Sequence, residues 1–275
     1  MKTTLLASAV LFALPLAAIA ADPPPPPMGW SGTGEAGLSV ASGNTKSQNL
    51  NAKLDFKFND EQWKDDFYLL AVRNKANVTV STVDTSTTPP TIVNSSNYDL
   101  TANRYEAGAS LGYKLDDRSY IVGAGRYEHD TFSPYDYQYI LSIGYGYQVL
   151  KNASDELSAE IGPGYKVVQQ ADYAVANPTP PPALLIVHPD SDSNVVLRGK
   201  IDYKHAFSDT VAFVDSFTVE AGSGNKFIQN DAGLAVKMSD KLALKAGLQT
   251  RHNSEVPNGF KKTDELFTTN LVYNF

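Results

Sequence analysis

Residues 49–58 alternate without exception. Leu50, Ala52, Leu54, Phe56 and Phe58 are apolar, and Asn49, Asn51, Lys53, Asp55 and Lys57 lie between them. A period of two puts each set on its own face of an extended strand. A helix would need a period near 3.6 and would mix the two sets.

The same pattern recurs along the chain. Tyr105, Ala107, Ala109, Leu111 and Tyr113 alternate with Arg104, Glu106, Gly108, Ser110 and Gly112. Tyr137 to Gln148 repeats it with Tyr139, Leu141, Ile143, Tyr145 and Tyr147 on one parity. Further examples are Leu157 to Lys166, Leu197 to Phe207 and Leu242 to Arg251. Twelve such segments are predicted, at 31–42, 47–58, 63–74, 98–114, 119–130, 136–149, 156–168, 195–207, 211–222, 226–238, 241–252 and 263–275. The facing of the third and fifth is not set by the pattern; Phe67 to Val72, for example, is continuously apolar.

The connections sort by parity. Those after strands two, four, six, eight and ten are short and polar, such as Asp116-Asp117-Arg118 and Ser239-Asp240. The two long ones, 75–97 and 169–194, are rich in Pro, Ser, Thr and Asn and both follow odd strands. An up-and-down meander places both at one end and the short turns at the other; a sandwich imposes no such parity.

The remaining question is where the apolar face looks. A soluble barrel turns it inward, and a membrane barrel turns it toward lipid. About eight strands already make an interior that side chains just fill, so an apolar centre inside twelve would be hard to pack. The polar face carries charges of both signs at i, i+2, as in Lys53-Asp55-Lys57, Arg104-Glu106 and Lys200-Asp202-Lys204, which suits a wet or ion-paired lumen. Aromatics gather near strand ends: Phe58, Trp63, Tyr113, Tyr120, Tyr147, Phe207 and Phe213 by the short turns, and Tyr127, Tyr137, Tyr165, Phe227 and Phe267 nearer the other end. Two such bands match interfacial girdles. Together these features predict an all-β, antiparallel up-and-down transmembrane barrel over 29–275, with membrane lipid as its surroundings.

The N-terminus fits export. Met1-Lys2, an apolar run from Leu5 to Ala20 and the small residues of Ala18-Ile19-Ala20 read as a cleavable signal peptide over 1–20. Residues 21–28 contain Pro23 to Pro27 and read as a stiff periplasmic tether. No later stretch has 18 consecutive apolar residues, so no transmembrane helix is expected. The absence of cysteine excludes a disulfide scaffold, a cysteine nucleophile and a thiolate metal site. A net charge of −7 gives no basic footprint for nucleic acid. At the other end Leu271, Tyr273 and Phe275 alternate on one face and the sequence finishes on Phe275. Such a strand resembles the assembly signal of bacterial outer-membrane barrels, which implies the barrel-assembly machinery as a partner.

A family resemblance follows from motifs in order. Gly29-Trp30-Ser31-Gly32 leads to Ser39-Val40-Ala41-Ser42-Gly43-Asn44-Thr45. Then come Arg104-Tyr105-Glu106, Arg126-Tyr127-Glu128, Tyr135-Asp136-Tyr137-Gln138, Gly144-Tyr145-Gly146-Tyr147, Gly162-Pro163-Gly164-Tyr165, Arg251-His252-Asn253-Ser254 and Lys261-Lys262-Thr263-Asp264. With the ending Leu271 to Phe275 they resemble the family described as salt-induced outer-membrane proteins, domain of unknown function 481 (YdiY-like). The resemblance covers about 29–275 and implies an outer-membrane barrel of unassigned activity. The two long links are more proline-rich than that family leads one to expect.

Candidate chemistry is sparse. His252-Asn253-Ser254 has the residue types of a hydrolase triad, but neighbouring strand residues point to opposite faces and cannot converge without a bend. His188 with Asp190 and Asp192 offers cation ligands on a loop otherwise open to solvent. Glu160 and Glu220 could pair as acid and base; lumenal ion pairs are the simpler account. No enzyme activity and no cofactor or metal are therefore expected. The predicted lumen lining is more informative: Lys53, Lys57, Arg104, Glu106, Lys114, Glu160, Lys166, Arg198, Lys200, Asp202, Lys204, Lys245 and Arg251. Lys237 and the acids Glu35, Asp55, Asp136, Glu220 and Asp231 share that face. Basic groups outnumber acidic ones, and basic rings favour anions. The expectation is a small passive channel for ions or small solutes with a slightly basic lumen; a closed structural barrel is the alternative. Asp215, His205 and Glu265 fall on the lipid face, and the side of Arg126 is left open.

Overall fold

The computed structural model describes residues 28–41, 47–84, 86, 88–89, 91–131, 133, 135–177, 183–256 and 260–275. The expected signal peptide, most of the tether and the link around Gly43 lie outside them. The strands are β1 (Gly29–Ala41), β2 (Ser47–Asn59), β3 (Trp63–Asp84), β4 (Thr91–Lys114), β5 (Ser119–Asp130), β6 (Tyr135–Lys151) and β7 (Asp155–Gln170). They continue with β8 (Tyr173–Asn177), β9 (Ala183–Val187), β10 (Asp192–Ala206), β11 (Val211–Gly222), β12 (Phe227–Lys237), β13 (Leu242–Asn253) and β14 (Thr263–Asn274). All but β8 and β9 form one closed barrel in which each strand pairs antiparallel with the next and β14 returns to β1. Closure removes the exposed edges that an open sheet would leave. Among the described residues no helix is long and apolar enough to cross a membrane, which says nothing about strands.

The expected meander and its parity are present, with two corrections. The link 75–97 is mostly strand: β3 and β4 stay paired out to Asp84↔Thr91. The link 169–194 contains the β8–β9 hairpin, paired from Tyr173↔Val187 to Asn177↔Ala183. Both segments had read as loops because of their Ser, Thr, Asn and Pro content. Their Val, Ile and Thr residues sustain pairing nonetheless.

Outward positions carry the apolar set. Leu69, Leu141, Ile143, Ile161, Leu197 and Phe267 are all more than half exposed. Near the short turns the rings pack together on the outer face: Trp30 tilted against Phe58 at 5.1 Å and Trp63 edge-on to Tyr113 at 5.3 Å. Tyr127 and Tyr137 do so toward the other end, at 6.3 Å. Two members of the expected bands belong elsewhere. Tyr120 and Phe227 point inward and are 4% and 1% exposed. A side chain on Gly146 would meet the Tyr120 ring at 2.2 Å, so that ring lies flat on the inner wall only because Gly146 has none.

The short turns are held by side chains. In the turn before β5, the Asp116 carboxylate accepts from the backbone N–H groups of Arg118 and Ser119, each at 2.8 Å. Those bonds hold its pKa below the ordinary carboxylate value.

The closing seam is short. β1 and β14 pair only from Thr33↔Asn274 to Ala36↔Leu271, with two further backbone bonds between Gly32 and Phe275. Outside, the Phe275 ring covers Gly32, where a Cβ would approach it to 2.4 Å. Inside, Glu35 accepts from Lys245 at 2.7 Å and from Asn270 at 3.1 Å, spanning from β1 to β13. The terminal aromatic is thus part of closure as well as the end of a strand.

Candidate functional site

Strand alternation delivers the polar set to the interior, and there it pairs. Lys53 meets Asp55 at 3.0 Å, Lys200 meets Asp202 at 2.7 Å, and Lys57 reaches Asp66 at 3.6 Å. Arg198 lies 3.3 Å from Glu160, which also accepts from the Tyr120 hydroxyl at 3.0 Å. The Asp202 carboxylate accepts from Ser216 at 2.7 Å. Glu106 accepts from Tyr68 at 2.6 Å, and Arg104 donates to Gln249 at 2.5 Å.

One layer crosses the lumen below the long-link end. Arg251 on β13 contacts both oxygens of Glu128 on β5 at 2.6 Å. These strands are six places apart in the ring of twelve, so the contact is diametric. Direct contact means that the walls there are no farther apart than two extended side chains. Arg126 on β5 donates to Glu128 at 3.0 Å and to Glu220 on β11 at 2.7 Å. Lys166 on β7 completes the layer at 2.7 Å from Glu220. Phe227 fills its centre, with Lys166 and Arg126 each 4.9 Å and Arg251 5.2 Å from the ring centroid. Ring faces attract cations, and more so in a desolvated setting. Gln138 donates to Glu128 from one side, and Ile140, directly opposite Arg126 and Lys166 on the neighbouring strands, is buried in the same wall.

The lumen loosens toward the short turns. Side-chain exposure is 1% at Glu128 and Glu220, 28% at Lys200, 52% at Lys204 and 63% at Lys57. On the other side of the layer a cavity of 370 Å³ opens among Tyr135, Lys166, Asn194, Val196, Asn225 and Glu255. A charged partition therefore closes the interior beneath that cavity.

Most expected lining residues face inward, with refinements. Lys114, Lys204 and Lys237 sit at the short-turn rim. Lys114 donates to Asn59 at 2.8 Å and to the carbonyl of Asp60, Lys204 pairs with Glu156 at 2.9 Å, and Lys237 pairs with Asp240 at 3.3 Å. Asp136 is displaced by the register shift between Tyr135 and Tyr137 and pairs with the outward His129 at 3.4 Å. The sequence reading left Arg126 open and missed Glu128, and both are central. The signal was available: Arg126 and Glu128 stand at i, i+2, the same device as Lys53 and Asp55. Phe227 likewise shares its parity with Gln229 and Asp231.

The other candidates do not assemble. His252 bonds to Thr263 at 2.9 Å, Asn253 accepts from Asn225 at 2.6 Å, and Ser254 accepts from the N–H of Lys226 at 2.8 Å, so the three side chains serve separate partners. His188 pairs with Asp172 at 2.7 Å. Glu160 and Glu220 hold different cations. Among the described residues no group of three or more acidic, His or Cys side chains has metal-site geometry. Asp215 does face outward in an unbroken register and accepts from the outward Asn230 at 2.7 Å. His205 also faces outward, 2.7 Å from Asp155.

The chain is 23% identical over 254 residues to "Uncharacterized protein YdiY" of Escherichia coli (strain K12), covering 92% of this chain and 86% of that one. Among solved structures it is similar to the translocator domain of the autotransporter NalP from Neisseria meningitidis, with a TM-score of 0.47, 12% identity, and 90% and 86% of the two chains covered. It is also similar to the NanC porin, with a TM-score of 0.43, 11% identity, and 89% and 97% covered. A third similarity is to the COG4313 outer membrane channel from Pseudomonas putida F1, with a TM-score of 0.40, 11% identity, and 90% and 95% covered. The family model described as "Protein of unknown function, DUF481" matches residues 34–275, and the chain belongs to that family.

Proposed function

We propose that the chain is a bacterial outer-membrane barrel whose lumen is a narrow path for small ions and solutes, held shut in this conformation by the transverse ion-pair layer. The diametric Arg251–Glu128 contact carries this reading. An apolar exterior in a closed barrel supports the location, because in lipid every backbone group must find its partner inside the protein. Short turns then face the periplasm and long links the exterior. The N-terminal pattern supports export, and the Phe275 strand supports insertion by the barrel-assembly machinery.

Charge pairs cost little to rearrange when water can enter, so a layer made of them can open where an apolar core cannot. The basic excess read from the sequence stays small in the folded lumen: Glu128 and Asp66 join the inward acids, while Arg126 joins the bases and Asp136 leaves. Selectivity for anions is accordingly slight. The separate partners of His252, Asn253 and Ser254 favour a barrel that is not an enzyme, and a lipid-hydrolysis assay should give no turnover.

Planar-bilayer recording tests the channel. The native chain should be silent or open rarely, and Glu128→Gln or Arg251→Gln should give discrete steps. The reversal potential in a salt gradient reads the selectivity. Silence from both folded, inserted variants would favour the second reading, a sealed structural barrel, to which the buried Phe227 and Ile140 lend weight.

A further inference from the structure

The outer parts of β3 and β4 leave the barrel wall. Among the described residues, β2 pairs with β3 as far as Ser47↔Ala76, and β5 pairs with β4 as far as Arg104↔Asp130, with one further backbone bond from Thr131 to Asn103. From Asn77↔Tyr98 to Val83↔Ile92 the two strands pair, among the described residues, with each other alone. Residues 91–99 of β4 are all exposed, and Ile92 and Val83 reach 71% and 63%. Among the described residues the result is a free-standing ribbon with two open edges.

Such a ribbon is marginal in water. Its edges present unpaired N–H and C=O groups, and native edges are usually blunted by lysine, proline, inward charge or a bulge. This ribbon uses none of these along its paired length. Between residues 76 and 99 the only charged residues are Asp84 and Asp99, at its two ends. Pro89 stands at the tip, and the register shift lies below, between Asn74 and Lys75. The rest is rich in Thr, Val, Ser and Asn, residues that leave recognition to the backbone.

We propose that this ribbon pairs with the ribbon of a second copy of the chain, the free edge of β3 in one against the free edge of β4 in the next. An identical copy brings open edges of matching length and needs no countercharge. A charged foreign strand would find none here. The edge choice rests on the membrane reading above. Copies in one membrane project their ribbons in the same sense, so β4 against β4 would be parallel. β3 against β4 is antiparallel, the stronger ladder. That contact is head-to-tail, so it builds a ring or a row.

The absence of cysteine makes the test direct. Thr79 and Ser96 lie opposite each other on one ribbon face, as do Ser81 and Asn94. Cells co-expressing a Thr79→Cys chain and a Ser96→Cys chain, and likewise Ser81→Cys with Asn94→Cys, are oxidised and their membranes analysed. Disulfide-linked dimers are expected from at least one mixed pair, with none from Ser96→Cys alone. Adding Ser95→Lys and Thr82→Lys, on exposed ribbon positions, should abolish the cross-link while the barrel stays folded by heat-modifiable mobility. Folded, membrane-inserted chains that give no dimer in any combination overturn the proposal. Dimers from Ser96→Cys alone overturn the choice of edges, and cross-links only to another protein overturn the partner. A chain absent from the membrane fraction would instead defeat the location, which is scored separately.

Discussion

Glu128 is 1% exposed and neutralises two arginines from different strands. Removing one member of a buried ionic cluster leaves the others uncompensated, at a cost of about 3–5 kcal/mol. Glu128→Gln should therefore lower barrel stability by about that amount in urea titrations of the reconstituted chain. Glu128→Gln combined with Arg251→Gln should recover part of the loss, because the mismatch is smaller. A double variant no more stable than the single one would mean that the contact is incidental. Phe227→Ala should cost about 3–5 kcal/mol, as large-to-small changes at packed aromatic sites do. Most of this chemistry was legible in the sequence as parity: wherever an i, i+2 charge pair occurs, that face is inner. Aromatic identity was the misleading cue. Tyr120 and Phe227 read as girdle residues from their place near strand ends, whereas Gly146 and the ring of cations make room for them inside.

At the level of elements, the β1–β14 seam and the outer face of β11 and β12 carry the least ordinary features. The seam depends on Phe275 covering Gly32, so Gly32→Val should reduce the folded fraction of reconstituted chain on unheated gels, and Phe275→Ala should slow insertion into membranes. Normal yield and rate for both would remove the terminal ring from closure. Asp215 and Asn230 satisfy each other on a face otherwise apolar. Asp215→Leu with Asn230→Leu should leave the barrel as stable or more so, while Asp215→Arg should cost up to about 2–4 kcal/mol if it lies near the bilayer midplane. A large loss from the paired leucines would show that the polar pair has a further partner. The short-turn carboxylate of Asp116 has a lowered pKa. Its support for the turn is thus present above the ordinary carboxylate range and lost as pH falls through the lowered value.

For the molecule as a whole, strand number, direction and the split between long and short links are readable in the sequence alone. A period of two is a local property, and closure follows once every strand has one apolar face. The extent of the long links was not readable, because Thr, Ser and Asn serve strands and loops alike and only pairing decides between them. Nor was the partition: diametric contacts depend on how far the walls approach, which no local pattern encodes. The central claim is that the apolar face meets lipid and the charged face does not. Single spin labels along β6 in lipid vesicles test it most directly. Positions 139, 141, 143 and 145 should show high collision rates with oxygen and low rates with a water-soluble nickel chelate, and positions 138, 140, 142 and 144 should not share that lipid signature. Labels at 141 and 143 that are quenched by the chelate as readily as free label in water would contradict the account.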